Sequence, residues 1–141
     1  MLTGISPILT GELLAFLDAM GHSDAVVIAD AHFPAERIAS RLVLLPTLGS
    51  PEVVRAVLTV LPLDDVPAVD LMRSADGEQL PVQTALLEAA GCEPGSVRFL
   101  DRHAFYQEAG TAFLLVRTGE TAPYGNAILR KGLVTRTGPL E

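Results

Sequence analysis

Residues 19–34, "AMGHSDAVVIADAHFP", set a five-residue apolar run, Ala25–Ala29, between two pairs of polar side chains. The run is uncharged and rich in β-branched residues, as in a strand buried on both faces. Pro34 closes the segment, because proline cannot donate to a continuing ladder. His22, Asp24, Asp30 and His32 flank the run. Such groups enter an apolar interior only when they are paired, hydrated or used. A buried strand with functional candidates at its ends belongs in an α/β sheet, and the rest of the chain is read outward from it.

Upstream, Thr10 caps a helix predicted over residues 11–20. Leu13, Phe16, Leu17 and Met20 form one apolar stripe, and Gly21 suits the position just past its end. Downstream, "HFPAER" reads as a loop and residues 41–45 as a second strand. Ser50-Pro51-Glu52 opens a helix to about residue 61, with Ser50 as the capping hydroxyl and Pro51 at its first position. Further strands are predicted over residues 68–73, 96–100, 113–118 and 126–134. Helices are predicted over Pro81–Ala90, ended by Gly91, and over residues 103–112, weakened by Gly110. Helix alternating with strand at this spacing predicts one α/β domain over residues 1–141. Its three layers are a mostly parallel or mixed central sheet with helices on both faces. The tail, residues 135–141, reads as loose.

The 141 residues are 49% apolar, with mean hydropathy +0.37. That excess points to subunit interfaces or to a sheet apolar on both faces. Seventeen Asp and Glu against ten Lys and Arg give a net charge of −7, and the basic residues form no stripe. Nucleic-acid partners are therefore not expected. Neither a signal peptide nor a membrane span is expected, and the lone Cys92 fits a cytoplasmic protein. Cys92 lacks a nearby basic activator, so no nucleophilic role is assigned to it. There is no dinucleotide or phosphate-loop signature. Asp30 and His32 alone are too few for a metal site.

His22 follows a helix end, where the macrodipole favours imidazolium; it is a general-acid candidate or a capping residue. Asp30 ends an apolar strand, where open α/β sheets place ligand groups, or is a solvated turn aspartate. His32 is two residues on, either beside Asp30 or in a plain loop. In "GETAPYGN" (residues 119–126), Tyr124 and Asn126 flank Gly125 and offer uncharged donors and acceptors, as a hydroxyl-rich neutral ligand requires. The alternative is an ordinary turn with a local Asn126 contact.

Three segments together, "ISP…LTGELLAFLDAMGHSDAVVIADAHFP", "DRHAFYQEAGTAFLLVRTGE" and "YGNAILRKGLV", resemble the L-fucose mutarotase family, sister to the ribose pyranases. The resemblance covers the N-terminal and C-terminal thirds; residues 36–97 match loosely. It implies His22 as proton donor, Asp30, Arg102 and Asn126 as sugar contacts, and Tyr124 as a contact that also relays a proton. His32 becomes an alternate base. Arg102 and "DAHFP" are the fucose-type forms. Glu108 in "FYQEA" departs from the family's arginine. The activity implied is interconversion of the α and β anomers of L-fucose or a related aldose, without a cofactor, by a cytoplasmic homo-oligomer, a decamer of two five-membered rings. The alternatives are a D-ribose pyranase, a non-catalytic sugar-binding accessory of an uptake system, and an interaction scaffold. Geometry adds a constraint: if residues 22–30 are extended at ~3.3 Å each, His22 and Asp30 lie up to roughly 25 Å apart. A monosaccharide cannot bridge that span, so either the chain curls back or neighbouring subunits supply different groups.

Overall fold

The computed structural model describes residues 1–65 and 67–135. The run Ala25–Ala29 is β1, and it sits inside a six-stranded sheet. The elements in chain order are α1 (Gly11–Ala19), β1, α2 (Ala35–Ile38), β2 (Leu42–Leu45), α3 (Ser50–Val57) and β3 (Val69–Met72). Then come α4 (Pro81–Ala90), β4 (Val97–Leu100), α5 (Arg102–Thr111), β5 (Leu114–Thr118) and β6 (Ala127–Arg130). The strand order is β2-β5-β1-β6-β3-β4. The pairs β1–β5, β2–β5 and β3–β4 are parallel, and β6 runs antiparallel to both β1 and β3. The sheet is thus mixed, with β6 as the reversed strand.

Alternation along β1 divides the core in two. Val26 and Ile28 pack with Leu13, Leu17, Val53, Val57 and Leu86 of α1, α3 and α4. Val27 and Ala29 pack on the other face with Ala35, Phe105 and Ala109 of α2 and α5. The result is the three-layer α/β arrangement expected from the alternating pattern. Each fully buried Leu, Ile or Phe in these layers contributes about 1.5–3 kcal/mol. No helix among the described residues is long and apolar enough to cross a membrane.

Several local expectations are corrected. "HFPAER" holds the one-turn helix α2 rather than only loop. Ser50 lies inside α3 and Gly49 is its cap residue, with Glu52 accepting the Gly49 N–H at 2.7 Å. Ser50 instead turns its hydroxyl inward to Thr118, 2.9 Å away. The regular helix stops at Val57, short of residue 61, and β6 stops at Arg130, short of residue 134. Gly110 does not interrupt α5. Gly91 does close α4 in the left-handed conformation, φ 59°. At α1 the expected glycine cap is replaced: the Lys131 ammonium donates to the carbonyls of Leu17 and Met20 at 2.8 and 2.7 Å. Of the expected loose tail, residues 136–141 lie outside the described residues.

Candidate functional site

Because β6 is reversed, its first residues meet the last residues of β1. The segment before β6 therefore shares one sheet edge with the carboxyl ends of the five parallel strands, the usual place for ligands in open α/β sheets. Asp30 follows β1, Met72 ends β3, Arg102 follows β4, and Tyr124 and Asn126 precede β6. With His32, Phe33, Tyr106 and Pro123 they line one cavity of about 260 Å³. That is slightly below the range of roughly 300–1,000 Å³ for drug-sized sites, as suits a small ligand. A larger cavity near the N-terminus is lined mainly by Met1, Leu2, Pro7 and Leu9 and lacks converging charged groups.

Asp30 and Asn126 form the floor. Both are buried, at 5% and 2% exposure. Asn126 Oδ1 accepts from the Asp30 N–H at 2.8 Å, and Asn126 Nδ2 donates to Asp30 Oδ2 at 3.0 Å. The Asn126 contact thus crosses 96 residues of chain and is not a local turn bond. The His32 N–H donates to Asp30 Oδ1 at 2.9 Å, so each carboxylate oxygen is held by one uncharged donor. A carboxylate has about four acceptor positions, which leaves capacity for hydroxyl donors from a ligand.

The walls are fixed from several directions. The Thr118 hydroxyl donates to the Ala29 carbonyl at 2.9 Å, so Ser50 must be the donor in its bond to Thr118. The Ala31 N–H reaches the Glu120 carbonyl at 2.8 Å, stitching the end of β1 to the loop before β6. Gly125 is required there by close approach: a Cβ would stand 2.8 Å from Glu120 Cγ and 3.1 Å from the Ala122 carbonyl. Tyr124 adopts φ 63°, a left-handed conformation that costs a non-glycine residue about 1–2 kcal/mol. Strain of this kind clusters at binding sites, where surrounding structure holds it. Phe33 meets Phe105 and Tyr106 edge-on at 6.0 and 5.3 Å between ring centroids, giving the pocket an apolar wall.

Asp30, His32, Arg102, Tyr124 and Asn126 are therefore brought together, and His22 is not. His22 lies at the opposite, amino-terminal end of β1, half exposed, with Nε2 3.4 Å from Asp64 Oδ1. The five residues of β1 alone span roughly 16 Å. The chain does not curl back. Asp24 is a turn residue, its carboxylate accepting the Gly21 N–H at 2.7 Å. Tyr106 was not singled out from sequence, although a signal existed: it stands four residues after Arg102 on α5, hence on the same helix face. Cys92 is no activated thiol; burial and the neighbouring Glu93 push its pKa up.

Comparisons with known proteins place the whole chain among solved structures of the same fold. A crystal structure of the fucose mutarotase from Streptococcus pneumoniae in complex with L-fucose matches with TM-score 0.88 and 31% identity, covering 95% of this chain and 100% of that one. FucU from Bifidobacterium longum matches with TM-score 0.83 and 38% identity over 94% of this chain and 99% of that one. RbsD from Bacillus subtilis, complexed with D-ribose, shares the fold with TM-score 0.75 at 22% identity, covering 96% of this chain and 100% of that one. The RbsD / FucU transport protein family matches residues 3–134, and the chain belongs to that family.

Proposed function

We propose that the protein is a sugar mutarotase that interconverts the α and β anomers of L-fucose or a closely related aldose. The observation that carries this reading is the buried Asp30–Asn126 pair opening, with Arg102 and Tyr124, onto one small cavity. Likeness to the fucose-bound S. pneumoniae enzyme supports the choice of sugar. Anomer exchange breaks the bond between the anomeric carbon and the ring oxygen. An acid protonates the ring oxygen while a base takes the anomeric hydroxyl proton. The aldehyde turns over, the ring recloses, and the protons return, so no redox change occurs.

Asp30 accepts protons from sugar hydroxyls, and Arg102 spans vicinal hydroxyls with its planar fork. Tyr124 and Asn126 orient the anomeric end, and Tyr124 relays a proton. His32, at the rim, is the alternate base. His22 is the acid, and it serves the pocket of a neighbouring subunit. Two features support that division. The first is its separation from Asp30 along β1. The second is an apolar groove nearby, where Val60 and Val134, both exposed, lie with Leu14, Leu17 and Pro62 against Lys131. Such a surface suits self-association, and the assembly is a decamer of two five-membered rings. The protein works in the cytoplasm, which the unpaired Cys92 fits.

Saturation-transfer NMR of anomeric exchange, run in parallel with L-fucose and D-ribose, tests this. Wild-type protein accelerates exchange in L-fucose, and His22→Ala lowers that acceleration by about 10²–10⁴-fold. Acceleration for D-ribose alone would make the protein a ribose pyranase. Binding without acceleration would make it a sugar-binding accessory. A fully active monomer in sedimentation would defeat the shared site.

A further inference from the structure

Ser50, Thr118 and the peptide between Ala29 and Asp30 bond in series behind the cavity floor. Ser50 comes from α3, Thr118 from the end of β5, and the peptide from the exit of β1. A carbonyl only accepts, so the Thr118 hydroxyl gives its one hydrogen to the Ala29 carbonyl, 2.9 Å away. Its two lone pairs take the Ser50 hydroxyl at 2.9 Å and the Glu120 N–H at 3.1 Å. Every bonding position of the Thr118 oxygen is thereby filled.

The Ala29 carbonyl and the Asp30 N–H belong to the same planar peptide unit. Thr118 holds that unit at its oxygen, and Asn126 holds it at its N–H, through Oδ1 at 2.8 Å. A backbone N–H only donates, so it turns Asn126 Oδ1 toward itself. Nδ2 is then turned toward the Asp30 carboxylate, to which it donates at 3.0 Å. The donors all point one way: Ser50 to Thr118, Thr118 to the peptide, the peptide to Asn126, Asn126 to Asp30 Oδ2. Ser50, Thr118 and Asn126 are 0%, 2% and 2% exposed, so bulk water does not compete for these bonds. In such an interior, bonds in series polarise and strengthen one another.

We infer that Thr118, oriented by Ser50, is a positioning residue for the Asp30 carboxylate, acting through the shared peptide and the Asn126 amide. This rests on the reading of the Asp30 pocket as the sugar site. Neither hydroxyl lines that cavity, so both act at a remove from the ligand. Holding the peptide plane fixes the orientation of the Asn126 amide. The amide then holds Asp30 Oδ2 while the His32 N–H holds Oδ1. The carboxylate is left with one orientation in which to meet sugar hydroxyls. Through Ser50, α3 is coupled to the site although none of its residues lines the cavity.

The test is Thr118→Val, Thr118→Ser and Ser50→Ala in the full-length protein, with exchange kinetics and NMR of the Asn126 side-chain amide. Thr118→Val keeps the shape and removes the hydroxyl. It lowers kcat on the order of tenfold, within the loss of about 10²-fold that a misplacement of about 1 Å brings. KM stays near wild type, because Arg102 and Tyr124 still hold the sugar. Wild-type Asn126 shows one amide proton shifted downfield and slow to exchange with water, the mark of its bond to Asp30. In Thr118→Val that proton moves upfield and exchanges faster, and Thr118→Ser restores both the signal and kcat. Ser50→Ala moves the signal the same way by less and lowers kcat by about twofold. There Thr118 keeps its bond to Ala29 and loses only the donor that strengthens it. A folded Thr118→Val variant with a lower thermal midpoint but unchanged kcat, or with an unmoved Asn126 signal, would make the chain purely structural and overturn the inference. Should Thr118→Val not fold, an unmoved Asn126 signal in Ser50→Ala overturns it instead. The amide readout needs no activity. Wild-type protein that accelerates no aldose would therefore remove the mutarotase reading alone, leaving the hold on Asp30 to be judged by NMR.

Discussion

Asp30 and Asp70 are both buried, yet they are compensated in opposite ways. Asp70, fully buried on β3, is gripped by Arg98 at 2.8 and 2.9 Å and by Arg130 at 2.7 Å. Its charge is neutralised on the spot by the two strands that flank it. Among the described residues no cation is bonded to Asp30; its partners are Asn126 and the His32 N–H. One carboxylate is sealed into an ion network, the other keeps acceptor capacity and borders a cavity. The contrast separates a charge used to hold strands together from a charge kept available for a ligand.

The largest expected effect tests the available one. Asp30→Asn lowers the anomeric exchange rate by about 10²–10⁴-fold, because a proton acceptor is lost. It lowers unfolding free energy by about 1–3 kcal/mol, since the new amide NH2 faces either the Asn126 amide or the His32 N–H, donor against donor. Exchange NMR and urea denaturation on one preparation check both. A stability loss without a rate loss would turn Asp30 into a second structural aspartate.

Asp70→Ala gives the mirror image. It leaves two guanidinium groups facing each other without their shared counter-charge, and Arg130 is only 13% exposed. Breaking such a buried network costs about 3–5 kcal/mol. Arg98 is half exposed and hydrates, which favours the lower figure. The folded variant keeps its exchange rate. The same network sets an acid limit. Burial alone would push the Asp70 carboxyl up, but hydrogen bonds from Arg98 and Arg130, with their charges, outweigh it and hold it below its ordinary range. A depressed folded pKa contributes stability that is fully present above the unfolded carboxyl value, about 4. That contribution is lost as pH falls through the folded value. Thermal midpoints measured below about pH 5 fall in wild type and fall less in Asp70→Asn.

Gly125→Ala has a smaller effect, at the pocket. The added Cβ meets Glu120 Cγ and the Ala122 carbonyl, and overpacking of this kind costs about 1–3 kcal/mol. Because the loop also carries Tyr124 and Asn126, exchange slows together with the loss in thermal midpoint. A stable but inactive variant would show that the loop moves without resisting.

Legibility in the sequence follows the same division. β1 and α4 are read directly from residues in a row, and Asp30 is visible as the polar end of an apolar run. Asn126 is visible as a candidate, but its partner is not: the bond to Asp30 depends on β6 running backwards, which no local pattern encodes. Asp70 sits unmarked in "AVDLMR", because its two arginines arrive from β4 and β6. Ser50 is misread as a cap because serine and glycine both serve there; only the distant Thr118 draws its hydroxyl inward. His22 is legible as a type of residue, whereas its Asp64 contact comes from the loosely matching middle of the chain.

Glu108→Gln is the mildest and sharpest probe of where the sealed region ends. Glu108 stands on α5, 45% exposed, with Oε2 3.2 Å from Arg130 Nη2. An exposed carboxylate facing a guanidinium contributes about 0–1 kcal/mol and is screened by salt. Arg130 already has Asp70 at 2.7 Å, so losing Glu108 leaves its charge compensated. The loss in urea unfolding free energy is therefore under about 1 kcal/mol and vanishes in high salt, with exchange unaffected. A loss matching that of Asp70→Ala would make Glu108 an integral member of the network. The ion pair would then be what fastens α5, and with it Arg102 and Tyr106, over the pocket.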